Sequence, residues 1–255
     1  MGGKDHYYNK AKQEGYRSRA AYKVQQLDAE ADLFSPGDTV VDLGAAPGGW
    51  LQVAAEAVGP TGRVIGVDRK RIDPLDDHPV ETVQGDMTEA ETKAEVLDVA
   101  GGGVDVVISD MAPDMTGEYS VDHARSVYLA RQALETALEL LVPGGDFVVK
   151  VFDGRDFEAF LSDVEREFDY ARTIRPDASR DASSEVYVVG KAYLTAPVEE
   201  GDVLELEIVD TGEEGDGIAR VEGYTIFVPD GTQGESVTVE VTDCKPRFGF
   251  AERVD

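Results

Sequence analysis

The sequence predicts a doubly wound α/β domain with an antiparallel last strand, followed by a small all-β barrel. Three features carry that reading. Between Pro36 and Tyr193, short runs rich in Val and Ile alternate with stretches of helical periodicity, the pattern of a mainly parallel sheet wrapped by helices. The last two strand candidates of that region are joined by only ten residues, too few for a crossover. Beyond Ala196-Pro197 the texture changes to alternating acidic and β-branched residues without a helical segment.

In chain order, the strand candidates are 39–43, 64–67, 80–83, 104–109 and 147–152, and helical periodicity is clearest over 123–141. A helix at 157–167 leads to strands at 170–174 and 185–193. The polar link 175–184 has no helical pattern, so the last strand is expected to return as a hairpin and run against its neighbours. Residues 1–195 are assigned to the α/β domain and 196–255 to the barrel, with barrel turns at 213–217 and 229–231.

Composition narrows the function classes. The chain has 255 residues, 52 acidic and 24 basic, for a net charge of −28, and its 42% hydrophobic content supplies a core in spite of that charge. No apolar run approaches the roughly 20 residues that span a bilayer, and Met-Gly-Gly-Lys-Asp-His is too polar for a signal peptide, so a cytoplasmic protein is expected. Cys244 alone makes no disulfide, and with His6, His78 and His123 scattered it makes no metal cluster.

Such acidity argues at first against a nucleic-acid partner. The acids are diffuse, however, and the basic residues are 9 Lys against 15 Arg. This resembles the proteins of salt-accumulating haloarchaea, where 1 M salt screens charge within about 3 Å. Local charge is then the informative quantity. Residues 1–28 hold six basic residues (Lys4, Lys10, Lys12, Arg17, Arg19, Lys23) against three acids, a basic head on an acidic chain.

The first strand runs into Val41-Asp42-Leu43-Gly44-Ala45-Ala46-Pro47-Gly48-Gly49-Trp50, whose small residues let a ligand approach the backbone at the carboxyl end of the sheet. The spacing is not G-x-G-x-x-G, so no pyrophosphate cradle is indicated. Asp68 closes the second strand, where a carboxylate accepts both ribose hydroxyls of an adenosine, and Asp86 follows the third, placed for an adenine amino group. Together these fit S-adenosylmethionine better than a nicotinamide dinucleotide. In the fifth strand, Lys150 interrupts Phe147-Val148-Val149 and Val151-Phe152; an unpaired ammonium there costs several kcal/mol. Asp110 ends the fourth strand, and Glu185 begins the antiparallel one, so topology brings both to the edge where Lys150 lies.

These residues carry a resemblance. Gly15-Tyr16-Arg17-Ser18-Arg19-Ala20-Ala21-Tyr22-Lys23, residues 42–50, Ser109-Asp110-Met111-Ala112-Pro113 and the strand of Lys150 resemble the FtsJ/RrmJ-type ribosomal RNA 2′-O-methyltransferases, the large-subunit uridine enzymes in particular, over about 16–193. The resemblance implies a Rossmann-like sheet using S-adenosylmethionine, with a catalytic tetrad on Lys23, Asp110, Lys150 and Glu185. It places cofactor contacts on Gly48, Trp50, Asp68, Asp86 and Asp110, and implies ribosomal RNA of the large subunit as partner, most simply a uridine of 23S RNA in the assembled subunit. A monomer without metal or membrane is expected. Transfer RNA, another ribosomal site, or a role as an RNA-binding assembly factor are the alternatives. Asp114 departs from the resemblance, which leads one to expect Asn. The basic segment carrying Lys23 leads us to expect Lys12, Arg17 and Arg19 on phosphates, with Tyr16 or Tyr22 beside the target nucleotide.

The tail is similar to a TRAM domain, a small RNA-associated β-barrel, through Gly212-Glu213-Glu214-Gly215-Asp216-Gly217-Ile218-Ala219, Phe227-Val228-Pro229 and Gly234-Glu235-Ser236-Val237. Its sixteen acidic and four basic residues exclude a uniform phosphate-binding face. Only 245–253 pairs basic with aromatic residues, as stacking on single strands requires. At least one of Phe248 and Phe250 is expected to fill the barrel core.

Overall fold

The computed structural model describes residues 6–75, 80–179, 184–212, 215–221 and 223–254. Expectations resting on Lys4, the His6 side chain, His78, Glu213-Glu214 and 180–183 of the hairpin link lie outside the described residues. The chain divides into two compact units, Met1–Tyr193 and Leu194–Asp255.

In the first unit, strands β1 (Thr39–Leu43), β2 (Arg63–Asp68), β3 (Val80–Gln84), β4 (Val104–Ser109), β5 (Leu141–Phe152), β6 (Phe168–Ile174) and β7 (Glu185–Tyr193) form one sheet in the order β3-β2-β1-β4-β5-β7-β6. The first five are parallel, and β7 runs antiparallel to both β5 and β6. The order reverses between β1 and β4, where the following loops diverge and open a crevice at the carboxyl edge.

Among the described residues, six α-helices flank the sheet: α1 (His6–Glu14), α2 (Ala21–Ala31), α3 (Gly49–Val58), α4 (Ala90–Ala100), α5 (Tyr119–Leu140) and α6 (Phe157–Glu167). The two-residue period of the strands divides the core. Val41, Leu43, Val107, Phe147, Val149, Val151, Val186 and Val188 pack with α4, α5 and α6, whereas Val40, Val106, Ile108, Val148, Tyr187 and Val189 pack with α2 and α3. That alternation decides which face every polar residue on these strands shares.

Two features were not anticipated. β5 starts at Leu141, six residues before the expected 147: Leu141 pairs with Val104, the register shifts, and pairing resumes at Asp146 with Val106. Gly144, at φ 84°, lets the Pro143-Gly144-Gly145 stretch bulge outward. The basic head also forms helices α1 and α2, because Ala21, Val24, Leu27 and Ala31 recur at helical spacing and are buried.

The second unit is a curled sheet of β8 (Val203–Glu207), β9 (Asp210–Thr211), β10 (Gly217–Val221), β11 (Tyr224–Val228), β12 (Ser236–Cys244) and β13 (Phe248–Arg253), ordered β8-β12-β13-β11-β10-β9. Leu206, Ile208, Ile226, Val228, Val239 and Val241 form its core. Neither Phe248 nor Phe250 joins it. Gly249 and Ala251 take the inward positions of β13, so the two phenyl rings stand 36% and 40% exposed on the outer face, each within 5.8 Å of Phe227.

Candidate active site

Lys150 lies between Val149 and Val151, which face α5 and α6, so its side chain points to the other face, toward α2. From α2, Lys23 points back toward the sheet; both lysines are about as buried as the core, at 5% and 6% exposure. Asp110 follows the end of β4, and Glu185 opens β7 opposite Phe152. Lys150 Nζ is 2.9 Å from the Asp110 carboxylate and 4.0 Å from Glu185, and donates to the Asp110 main-chain oxygen at 2.6 Å. Lys23 Nζ is 3.0 Å from Glu185 and 3.5 Å from Asp110. Two cations thus face two anions, the arrangement that allows charge in so dry a place.

Tyr187 completes the cluster. It shares the face of Glu185, two residues on, and its buried hydroxyl donates to the Asp110 carboxylate at 2.6 Å. Burial pushes the Asp110 carboxyl up, but the ammonium groups of Lys150 and Lys23 and this hydroxyl outweigh it and hold the group below the usual carboxylate range. Burial, then Asp110, pushes the Tyr187 phenol well up, so it remains a donor. The sequence reading did not single out Tyr187, although the two-residue period from Glu185 marks it.

The four charged residues line a cavity of about 560 Å³ that also meets Arg19 and Met115. A second cavity, of about 520 Å³, lies among the loops that follow β1, β2, β3 and β4. Gly44, Ala46, Asp68, Asp86 and Met111 line it, and Tyr128 of α5, which no pattern in the sequence signalled, edges it. Both cavities contain Asp110 and Ala112.

The second cavity is shaped by backbone. A Cβ on Gly44, at φ 79°, would lie 2.1 Å from the Met111 side chain, so only glycine fits. Asp68 accepts the N–H of Ala46 at 3.0 Å and of Lys70 at 2.7 Å. Asp86 accepts the main-chain N–H and the hydroxyl of Thr88, which hold its carboxyl below the usual range. Asp42, 2% exposed on β1, is the exception among these acids: burial, then the charges of Asp110 and Asp68, push it well up.

Gly48 and Trp50, expected against the cofactor, line neither cavity. The Trp50 indole is buried, donates to the Ala20 oxygen at 2.8 Å and packs on Tyr187, so it props the active-site floor from behind. Gly48 instead faces Arg17, whose guanidinium a Cβ there would approach to 3.3 Å.

The expected RNA contacts separate into two groups. Lys12 is exposed on α1, and Arg19, donating to the Ala178 oxygen at 2.7 Å, lines the cavity of Lys150. Arg17 differs from the expectation, because its guanidinium is committed to the main-chain oxygens of Pro47, Asp73 and Pro74. Tyr22 is buried and donates to Glu14 at 2.7 Å, while the half-buried Tyr16 donates to Glu56 at 2.7 Å and meets the Tyr22 ring edge-on, so both hydroxyls are engaged within the protein. Burial raises the Tyr16 phenol to about 12, so it too stays a donor. Among the described residues, no helix is long and apolar enough to cross a membrane, and no group of His, Cys, Asp and Glu is arranged to hold a metal.

Comparison with known proteins matches this architecture. Residues 16–193 match the model of the FtsJ-like methyltransferases, and 197–254 match the TRAM domain. A Halorubrum lacusprofundi protein named ribosomal RNA large subunit methyltransferase E is 66% identical over 100% of this chain and 95% of its own length. A protein of the same name from Halobacterium salinarum is 67% identical over 99% of this chain and 98% of its own. The crystal structure of a Plasmodium falciparum protein described as a ribosomal RNA methyltransferase superposes with a TM-score of 0.63, at 26% identity, over 70% of this chain and 98% of that one. The acidic composition accords with the haloarchaeal relatives. The chain belongs to the FtsJ-like methyltransferase family, and a TRAM domain follows its catalytic domain.

Proposed function

We propose that this methyltransferase transfers a methyl group from S-adenosylmethionine to a ribose 2′-hydroxyl of large-subunit ribosomal RNA, at a uridine of the 23S molecule in the assembled subunit. The observation that carries the reading is the junction of two cavities of similar volume at Asp110 and Ala112, with Lys23, Lys150 and Glu185 on one side only. A donor cavity and an acceptor cavity need such a shared wall. The names of the haloarchaeal relatives support ribosomal RNA as the acceptor.

The loop-built cavity fits S-adenosylmethionine: Gly44, packed on Met111, gives it a wall with no side chain of its own, and Asp68 and Asp86 offer carboxylate oxygens to hydroxyl and amino groups. Gly44, Asp68, Asp86 and Asp110 would hold it, and when bound it supplies a methyl group made electrophilic by the sulfonium. A hydroxyl is a weak nucleophile at neutral pH, and a base within reach of its proton is worth about 10²–10⁴ in rate. Lys150 is that base, facing the acceptor cavity with Asp110 and Glu185 fixing its position. Lys150 must meet the hydroxyl as the free amine to accept its proton; Lys23 balances the charge of the same carboxylates, and Asp110, kept anionic, orients the amine. Arg19 meets RNA phosphate at the cavity and the exposed Lys12 of α1 meets phosphate beyond it, and in strong salt these contacts act only at short range.

The test supplies labelled methyl donor with undermodified large subunits, free 23S RNA, small-subunit RNA or transfer RNA, and maps any product by resistance of the modified linkage to alkali. Label confined to an alkali-resistant uridine of the large subunit is expected. Label in transfer RNA alone, or on a base, overturns the assignment.

A further inference from the structure

We infer that Arg17 is a positioning residue for the donor cavity, cross-linking the two loops that wall it, and that it does not contact phosphate. The inference rests on reading that cavity as the S-adenosylmethionine site. Arg17 stands just before α2, in the basic head. Its guanidinium donates through one nitrogen to the Pro47 oxygen at 3.0 Å and the Asp73 oxygen at 2.6 Å, and through the other to the Pro74 oxygen. Pro47 belongs to the loop after β1, which contributes Gly44 and Ala46 to the cavity; Asp73 and Pro74 belong to the segment after β2, which contributes Asp68, Arg69 and Lys70. On the cavity side, Asp68 ties the same two loops by accepting the Ala46 N–H. Arg17 makes the matching tie from outside, and Gly48 gives it room, since a side chain there would press on the guanidinium and on Leu75.

Three further contacts hold Arg17 in place. Its main-chain N–H donates to the Gln52 side chain at 2.8 Å, Gln52 donates to the Gly15 oxygen at 3.0 Å, and Ser18 packs so closely on Gly49 that a Cβ there would lie 2.3 Å from its hydroxyl. The planar fork of an arginine spans two loops at a fixed angle, which the point charge of a lysine does not. All three acceptors are uncharged carbonyls, so the tie keeps its geometry in concentrated salt, where an ion pair weakens.

The experiment measures binding of S-adenosylhomocysteine without RNA, by calorimetry, and binding of labelled large-subunit RNA without cofactor, for wild type, Arg17→Ala, Arg17→Lys and Arg19→Ala. Loss of three hydrogen bonds that order the cavity walls is expected to weaken cofactor binding about tenfold or more in Arg17→Ala and severalfold in Arg17→Lys. RNA affinity is expected to hold in both, and Arg19→Ala to show the reverse. In turnover, Arg17→Lys raises the KM for the methyl donor and leaves kcat near wild type, a split that general unfolding does not produce. Unchanged cofactor affinity in a folded Arg17→Lys or Arg17→Ala variant, or loss of RNA affinity instead, overturns the inference. Should Arg17→Ala not fold, Gln52→Ala replaces it, and unaltered cofactor affinity there counts against the inference. A wild-type protein that fails to bind S-adenosylhomocysteine removes the reading of the cavity itself, a failure visible before any variant is compared.

Discussion

In the cavity that Lys150 lines, Lys23, Lys150, Asp110 and Glu185 each have an opposite charge within 4.0 Å, with the lysines nearly dry and the carboxylates partly open to the cavity. In the adjoining cavity, Asp68 is held by two main-chain N–H groups, and Asp86 meets Arg69 at 3.8 Å on a side chain that lies mostly in solvent. The first site therefore pairs its charges internally and is fixed before any ligand arrives, the frame that the proposed roles of Lys150 and Lys23 require. The second sets Asp68 and Asp86 among Arg69 and Lys70 on open loops, with no buried opposite charge on either carboxylate among the described residues, so its acids stay accessible to a ligand. One wall, Asp110, serves both, and its two lysines and Tyr187 keep it anionic for either role.

The sharpest way to break this division is Lys150→Arg. The charge persists, but a guanidinium does not give up its proton. Turnover is expected to fall about 10²- to 10⁴-fold, while calorimetry shows cofactor affinity unchanged. Wild-type turnover would remove Lys150 as base and leave orientation of the hydroxyl as its role; a parallel loss of cofactor affinity would show that the two cavities are not separate.

Asp68→Asn tests the other side of the division. It keeps the shape, removes the charge, and weakens hydrogen bonding to the ligand hydroxyls by about 1.5–3 kcal/mol, or roughly 10- to 100-fold in affinity for the methyl donor. At saturating donor the rate is expected to stay close to wild type. A fall in kcat with affinity intact would mean that the carboxylate acts on the reaction and not on binding.

The same contrast governs what the sequence makes legible. Asp110, Lys150 and Glu185 converge because strand order and direction put their main chains at one edge, and the hairpin 175–184 reveals that direction before any side chain is placed. The donor cavity's Asp68 and Asp86 follow from the same rule. Arg17 and Trp50 escape it: neither sits on a strand, and nothing in the local pattern says whether a guanidinium before α2 turns outward to phosphate or inward to three carbonyls. Phe248 and Phe250 show a different limit. Hydrophobicity suggests the core, but alternation with Gly249 and Ala251 decides, and which phase points inward depends on the partners of β13. Pro143-Gly144-Gly145 masked the start of β5, because turn residues inside a bulge read as a loop.

The smallest effect expected belongs to Asp42, the buried carboxyl on β1 between the two sites. It lies buried beside Asp68 and Asp110, and its carboxyl is pushed well above the usual range, first by burial. As pH rises from about 4, the unfolded chain releases this proton before the folded one does, so folding loses stability until the raised folded value is reached. Asp110 acts with the opposite sign: its depressed carboxyl contributes stability above about pH 4 that is lost on acidification. Asp42→Asn removes the ionisable group without changing its volume. Each pKa unit of upward shift removed is worth about 1.4 kcal/mol, so the cofactor-free variant is expected to melt about 2–4 °C or more above wild type at neutral pH. That gap should close as pH falls toward 4, where both proteins carry a neutral group at this position. Melting curves across that range decide it: a variant less stable than wild type at neutral pH would mean that the ionised Asp42 is compensated in the fold.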